Sequence, residues 1–160
     1  MQIVKNDTFK LFLNQFTTVE ELAGLIDQIN GILKFTYKNT HLPFSRRIRS
    51  KVTKDLLDLI IKIEKGNKLP QSAKELSDYF NSLCDFLGKI PKIELILAFE
   101  PSAEFLGKIK RWFWENFKKR VVFEIIIKPE IIGGAIIEYN GIYRDFSKAK
   151  DFEESIAGLQ

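Results

Sequence analysis

The chain has 160 residues, 45% of them hydrophobic and 29% charged, with a formal net charge of +4. That balance suits one or two small soluble folds, excludes a wholly disordered chain, and is too weakly basic to imply nucleic acid by itself. The single cysteine, Cys84, rules out an internal disulfide, and no run approaches the roughly 20 apolar residues that span a bilayer.

The opening MQIVKNDTFKLFLNQF is interrupted by Lys5, Asp7, Lys10 and Asn14, so no signal peptide is expected and a cytosolic chain is the reading. Asp7 to Phe16 reads as a short helix packing Phe9, Phe12 and Phe16. Thr17 and Thr18, with Glu20 and Glu21 three residues after each, form candidate capping boxes for the next helix. Val19, Leu22, Ile26, Ile29 and Leu33 follow at three- and four-residue spacing as one apolar seam.

Asn39-Thr40-His41-Leu42-Pro43 breaks that pattern. A second helix is predicted from about Ser45, with Ile48, Val52, Leu56, Leu59 and Ile63 on one face and Gly66-Asn67 as its stop. Pro70 and Ser72 open a third, with the seam Leu76, Phe80, Leu83 and Leu87. Helices of this length are marginal alone, so a bundle over residues 1–88 is expected.

From Pro91 the period changes to two. KIELILAF reads as a strand, Ser102 as the cap of a helix with Phe105, Leu106, Ile109, Trp112, Phe113 and Phe117 on one face, and RVVFEIII as a second strand. Strand, helix and strand in that order predict a parallel crossover. Two short strands, Gly134–Tyr139 and Ile142–Arg144, flank Asn140-Gly141, the strongest short hairpin signal because a type I′ turn needs positive φ at both central residues. Asp145 or Ser147 would cap a closing helix over Lys148–Ile156. The fold class is α+β: a helical bundle over 1–88, then a small mixed α/β sheet domain over 89–160.

The chemistry-bearing residues form no catalytic pattern. His41 stands alone in a loop, where a solvated side chain is the simpler reading. Cys84 has no nearby activating cation, so a half-buried structural thiol is expected. Gly133-Gly134 is followed by strand rather than by Lys-Ser/Thr and a helix, which excludes a phosphate cradle. No catalytic residue, cofactor site or metal ligand is assigned, and an enzyme is not expected.

Two features point to binding. Arg46, Arg47 and Arg49, with Lys51 and Lys54, crowd the start of the predicted second helix, where cations oppose the macrodipole. An acidic partner would explain them, and so would a plain solvated face. Trp114 lies about 200° around its helix from Trp112 and so points away from the face predicted to bury Trp112. It would meet either a partner or the chain's own tail.

The stretch KPEIIGGAIIEYNGIYRDFS resembles the C-terminal signature of the delta subunit of F-type ATP synthases, the oligomycin sensitivity conferral protein of mitochondria. Pro129, Ile131, Ile132, Gly133 and Gly134 fall on the family's Asp-Pro-x-Leu-Ile-Gly-Gly run, and Asp145 and Ser147 on its Asp-x-Ser. The strand, helix and strand before it agree in order, so the likeness covers roughly residues 90 to 150. It departs at Lys128, where the family has aspartate, in lacking a Tyr-Ala-x-Ala-Leu opening, and in a helical part shorter than the family's six-helix bundle.

The resemblance implies a non-catalytic stator subunit, peripheral on the cytoplasmic side of the bacterial cell membrane. Its bundle would grip the N-terminal segments of the alpha subunits of the catalytic head, with the beta subunits as further partners, and its second domain would meet the b subunit. No cofactor, nucleic acid or membrane span is implied. Gly88-Lys89-Ile90-Pro91 would suit a hinge between the ends. The alternative is a basic nucleic-acid-binding or adaptor protein using Lys108, Lys110, Arg111, Lys118, Lys119 and Arg120. On the stator reading, Pro129 ends a strand, the glycine pair bends the backbone and Asn140-Gly141 turns the hairpin.

Overall fold

A computed structural model describes residues 2–139 and 141–145, with side chains from residue 7 onward. Asn140, Ser147 and the closing helix predicted over Lys148–Ile156 lie outside the described residues. The order is α1 (Gln2–Phe12), α2 (Val19–Ile32), α3 (Phe44–Ile48), α4 (Lys54–Lys65), α5 (Ala73–Gly88), β1 (Lys92–Leu97), α6 (Ala103–Phe117), β2 (Val122–Ile127), β3 (Ala135–Tyr139) and β4 (Ile142–Asp145). Helices followed by a small mixed sheet make the class α+β, as expected. Two compact units divide the chain: one holds the residues up to Phe16 together with Glu20–Ile90, the other Thr17–Val19 together with the described residues from Pro91 on.

The first unit is helical. Ser72 caps α5 by accepting from the Glu75 N–H at 3.2 Å, and Leu76, Phe80, Leu83 and Leu87 are buried along it as the spacing predicts, joined by Tyr79. Phe9, Phe12 and Phe16 are buried too, although α1 starts and ends earlier than expected and Phe16 lies beyond its last turn. Thr8 and Tyr79 are a buried polar pair, with the hydroxyls 3.0 Å apart. Along α2 the buried seam is Leu22, Leu25, Ile29 and Ile32. Val19, Ile26 and Leu33 were expected in it and are half-buried instead. Leu25 and Ile32 hold the three- and four-residue spacing just as well, so periodicity alone does not choose between neighbours.

The helix predicted from Ser45 to Ile63 is two helices. α3 ends at Ile48, and α4 starts only at Lys54, after Thr53 in an extended conformation. The start of α3 and the far end of this break are held by residues distant in sequence. The Glu64 carboxylate accepts from the Phe44 N–H at 2.6 Å and also bonds Ser45, closing the N-terminal turn of α3. The Gln28 side-chain oxygen accepts from the Thr53 N–H at 2.7 Å. α4 stops at Gly66, whose N–H reaches the Lys62 carbonyl, and Asn67 turns with φ 52°.

The second unit is a four-stranded sheet in the order β2-β1-β3-β4. β1 and β2 pair in parallel, with α6 as the connection, and β3 and β4 pair antiparallel with Tyr139 opposite Ile142 across the two-residue turn. Gly141 there has φ 74°. Alternation sorts β1 between the sheet's faces. Ile93, Leu95 and Leu97 pack with Leu106, Phe113 and Phe123 against α6, whereas Ile96 packs with Ile131 and Ile136 on the other face. β1 ends at Leu97, short of Phe99, which is exposed. The outer edge of β2 is met by Thr18, which forms a parallel bridge with Phe123, while the Phe123 N–H donates to the Thr17 carbonyl at 2.9 Å.

Pro129 begins a 3-10 turn, Pro129–Ile131, that follows β2. Ile132 then takes φ 63° and Gly134 φ 80°. Of the glycine pair, Gly134 is the one whose left-handed backbone excludes ordinary side chains. A β-branched residue at positive φ, as at Ile132, is a genuine outlier.

Candidate partner-binding surfaces

The three arginines of the predicted basic helix start do different things. Because α3 is so short, Arg46 and Arg47 fall in its last turn and Arg49 at its C-cap, where cations complement the helix dipole. This reverses the expected conflict with the macrodipole. Arg47 folds inward. Its Nη1 lies 3.1 Å from the Phe35 carbonyl, 3.0 Å from that of Thr36 and 3.3 Å from that of Lys38. The guanidinium also sits over the Phe44 ring at 5.0 Å. Burial pulls Arg47 below the usual guanidinium range, and the Glu64 carboxylate pushes the other way. Arg47 thus fastens the chain that leaves α2 to the start of α3.

Arg46 and Arg49 stay exposed and stand over a groove between α3 and α4 of about 710 Å³. Its apolar lining is Val52, Leu57 and Ile61, all half-buried. Leu57 and Ile61 are four residues apart on one helix and therefore neighbours along one face. Lys54 and Lys65, at the two ends of α4, complete a rim of four cations, with Asp58 as the one carboxylate lining the groove. Among the described residues, none of these four cations forms an ion pair. Neither the groove nor its second apolar stripe was found by sequence reasoning, which counted Val52 into the buried seam. The off-seam pair Leu57 and Ile61 was the available signal.

On α6 the buried residues are Leu106 and Phe113. Phe105, Trp112 and Phe117, expected in that buried face, are exposed, Trp112 by 50% and Phe117 by 54%. Trp112 is one residue, about 100°, from Phe113, which places it on the flank of the seam rather than within it. Its ring meets Phe113 and Phe117 edge-on, at centroid distances of 5.3 and 5.5 Å. Trp114, 40% exposed, lies on the opposite flank and stacks with the Arg120 guanidinium at 4.2 Å.

The basic residues of this region are largely engaged by their own chain. Lys108 pairs with Glu104 at 2.8 Å, Lys119 stands over Tyr139 at 5.5 Å, Arg120 covers Trp114 and Lys110 also has a partner. His41 is exposed in a turn. Cys84 is half-buried, with its sulfur 3.8 Å from the Asn30 side-chain oxygen; burial, and then Asp85, push its thiol up, away from the reactive thiolate. No group of three or more metal-ligating side chains occurs among the described residues.

Comparison with known proteins gives two matches. The family described as ATP synthase delta (OSCP) subunit matches residues 7–154. The ATP synthase subunit delta of Persephonella marina (strain DSM 14350 / EX-H1) is 31% identical over 96 residues, covering 60% of this chain and 50% of that protein. The match thus spans about half the length of that curated relative.

Proposed function

The chain belongs to the ATP synthase delta (OSCP) subunit family, and from that membership we propose that it is a non-catalytic stator subunit of an F-type ATP synthase, joining the catalytic head to the peripheral stalk. The observation that carries this reading is the extent of the family match, which runs through both units rather than over the C-terminal signature alone. A stator must hold the head against the torque of the rotor. It therefore needs a durable interface at each end rather than a reactive centre. The helical unit would grip N-terminal helices of the alpha subunits, with the beta subunits as further neighbours, by laying them in grooves between its own helices. The sheet unit would meet the b subunit, with the exposed Trp112, Trp114 and Phe117 as aromatic anchors.

The units are joined at Ile90–Pro91, next to the end of α5, and on either side of Thr17–Val19, and compliance between the two ends is proposed at those joints. No described helix is long and apolar enough to cross a membrane. The subunit would be held at the cytoplasmic face of the bacterial membrane through its partners.

The test is reconstitution of the full chain with purified alpha–beta head and with the soluble part of the b subunit. A ternary complex that neither partner forms without this chain is the expected result. A folded protein that binds neither partner sinks the stator reading.

A further inference from the structure

We propose that the groove between α3 and α4 takes an acidic amphipathic helix from a neighbouring polypeptide, its aliphatic side chains on the floor and its carboxylates against the rim. The inference deepens the stator reading and rests on it for the presence of a helical neighbour. Its chemistry comes from the groove itself. Leu57 and Ile61 rise one turn apart along α4, about 6 Å, which matches the spacing of aliphatic residues at i and i+3 or i+4 on an incoming helix. Lys54 and Lys65 are eleven residues apart on α4, about 16 Å, so cations bracket the groove over some three helical turns.

Lys54 argues for a partner independently of the groove's shape. It is the first residue of α4, where a positive charge opposes the dipole and a negative one is favoured. The helix gains nothing from a cation there, whereas a visiting carboxylate would meet both the ammonium and the helix end. Arg46 and Arg49 supply the same complementarity from the α3 side. With an apolar floor, four cations and a single carboxylate in the lining, the groove suits an acidic helix better than the alternatives. A flat anionic lipid surface would use the rim without reaching Leu57 and Ile61. A free phosphate would leave the floor unfilled.

The experiment measures fluorescence anisotropy of labelled helical peptides of about 18 residues with the full chain. One peptide carries leucines at i, i+4 and i+7 flanked by glutamates, a second replaces the glutamates with lysines, and phosphatidylglycerol vesicles form a third arm. The acidic peptide should bind at least about tenfold tighter than the basic one, with affinity that falls as salt is raised. Arg49→Glu and Leu57→Glu should each weaken it about tenfold or more, while Lys74→Glu on exposed α5 surface should not. Arg49 is exposed, so its charge reversal keeps the test decisive where Leu57→Glu fails to fold.

Equal binding of the two peptides, indifference to Arg49→Glu, or binding to vesicles alone would overturn the proposal. The same variants entered in the reconstitution separate the two readings. A ternary complex formed without any acidic-peptide binding defeats the groove and leaves the stator. Groove-dependent peptide binding without a ternary complex defeats the stator and leaves the groove.

Discussion

The helical and sheet units handle large apolar side chains in opposite ways. In the first, Phe12, Phe44, Tyr79 and Phe80 are almost wholly enclosed, and Tyr79 meets both Phe9 and Phe80 edge-on. In the second, among the described residues, one helix covers one face of a four-stranded sheet. Nine of the ten large hydrophobic residues exposed among the described residues belong to that unit. A finished core confers stability, whereas apolar surface left in the open is characteristic of places where proteins meet. On the stator reading, the aromatics of the two halves would have different duties: support in the first, contact in the second.

The largest expected effect breaks the first unit. Phe80→Ala should cost about 3–5 kcal/mol of unfolding free energy in a urea titration, because a fully enclosed ring leaves a cavity. Trp112→Ala, by contrast, should cost less than about 1 kcal/mol and, on the stator reading, weaken b-subunit binding instead. Equal destabilisation by the two changes would end the comparison. Next comes Arg47→Leu, expected to cost about 1–3 kcal/mol because the carbonyls of Phe35, Thr36 and Lys38 lose a shared donor. Thermal melting of that variant beside Arg46→Leu, which should hardly move, separates the inward arginine from an outward one.

A third pair of changes sharpens the sheet unit. Gly134→Val should destabilise by about 1–2 kcal/mol at its positive φ, whereas Ile132→Asn should stabilise by up to about 1 kcal/mol, since asparagine tolerates the left-handed region. Melting temperatures that shift in the same direction would count against the assigned backbone.

The smallest effect concerns alkaline pH. Burial pushes the Tyr79 phenol up to about 12, with the Thr8 hydrogen bond opposing, from about 10 in an unfolded chain. A raised folded-state value means that the contribution is complete below pH of about 10 and is lost as the pH climbs towards 12. Tyr79→Phe should therefore lose less stability than the parent between those values in denaturant titrations. Identical alkaline profiles would show that this hydroxyl does not sense folding.

How much was legible depended on whether the deciding contact was local. The Ser72 cap and the seam of α5 could be read because a helix start and its buried stripe are set by residues three and four apart. The hairpin was equally local, with Gly141 supplying positive φ. The break between α3 and α4 was not legible. Ile48, Val52 and Leu56 keep perfect helical spacing across it, while the long-range bond found at it comes from Gln28, 25 residues away from Thr53. Losing that break hid the groove as well, since Val52 sits in the linker rather than in a buried stripe. Trp112 was misplaced for another reason. Phe105, Trp112 and Phe117 fit a broad helical face, but only Leu106 and Phe113 of α6 are buried in the cluster packed on the sheet.

Thr17–Val19 belong to the sheet unit although they precede four-fifths of the helical one, and this sets how the molecule tolerates dissection. A fragment starting at Pro91 would lack the segment that bridges Phe123 and would present the outer edge of β2 as an open template for other strands. Proteolysis or truncation at Ile90–Pro91 would thus not release two self-sufficient pieces. To recover a well-behaved sheet unit, residues 17–19 must be supplied with it, by a fused strand or by circular permutation.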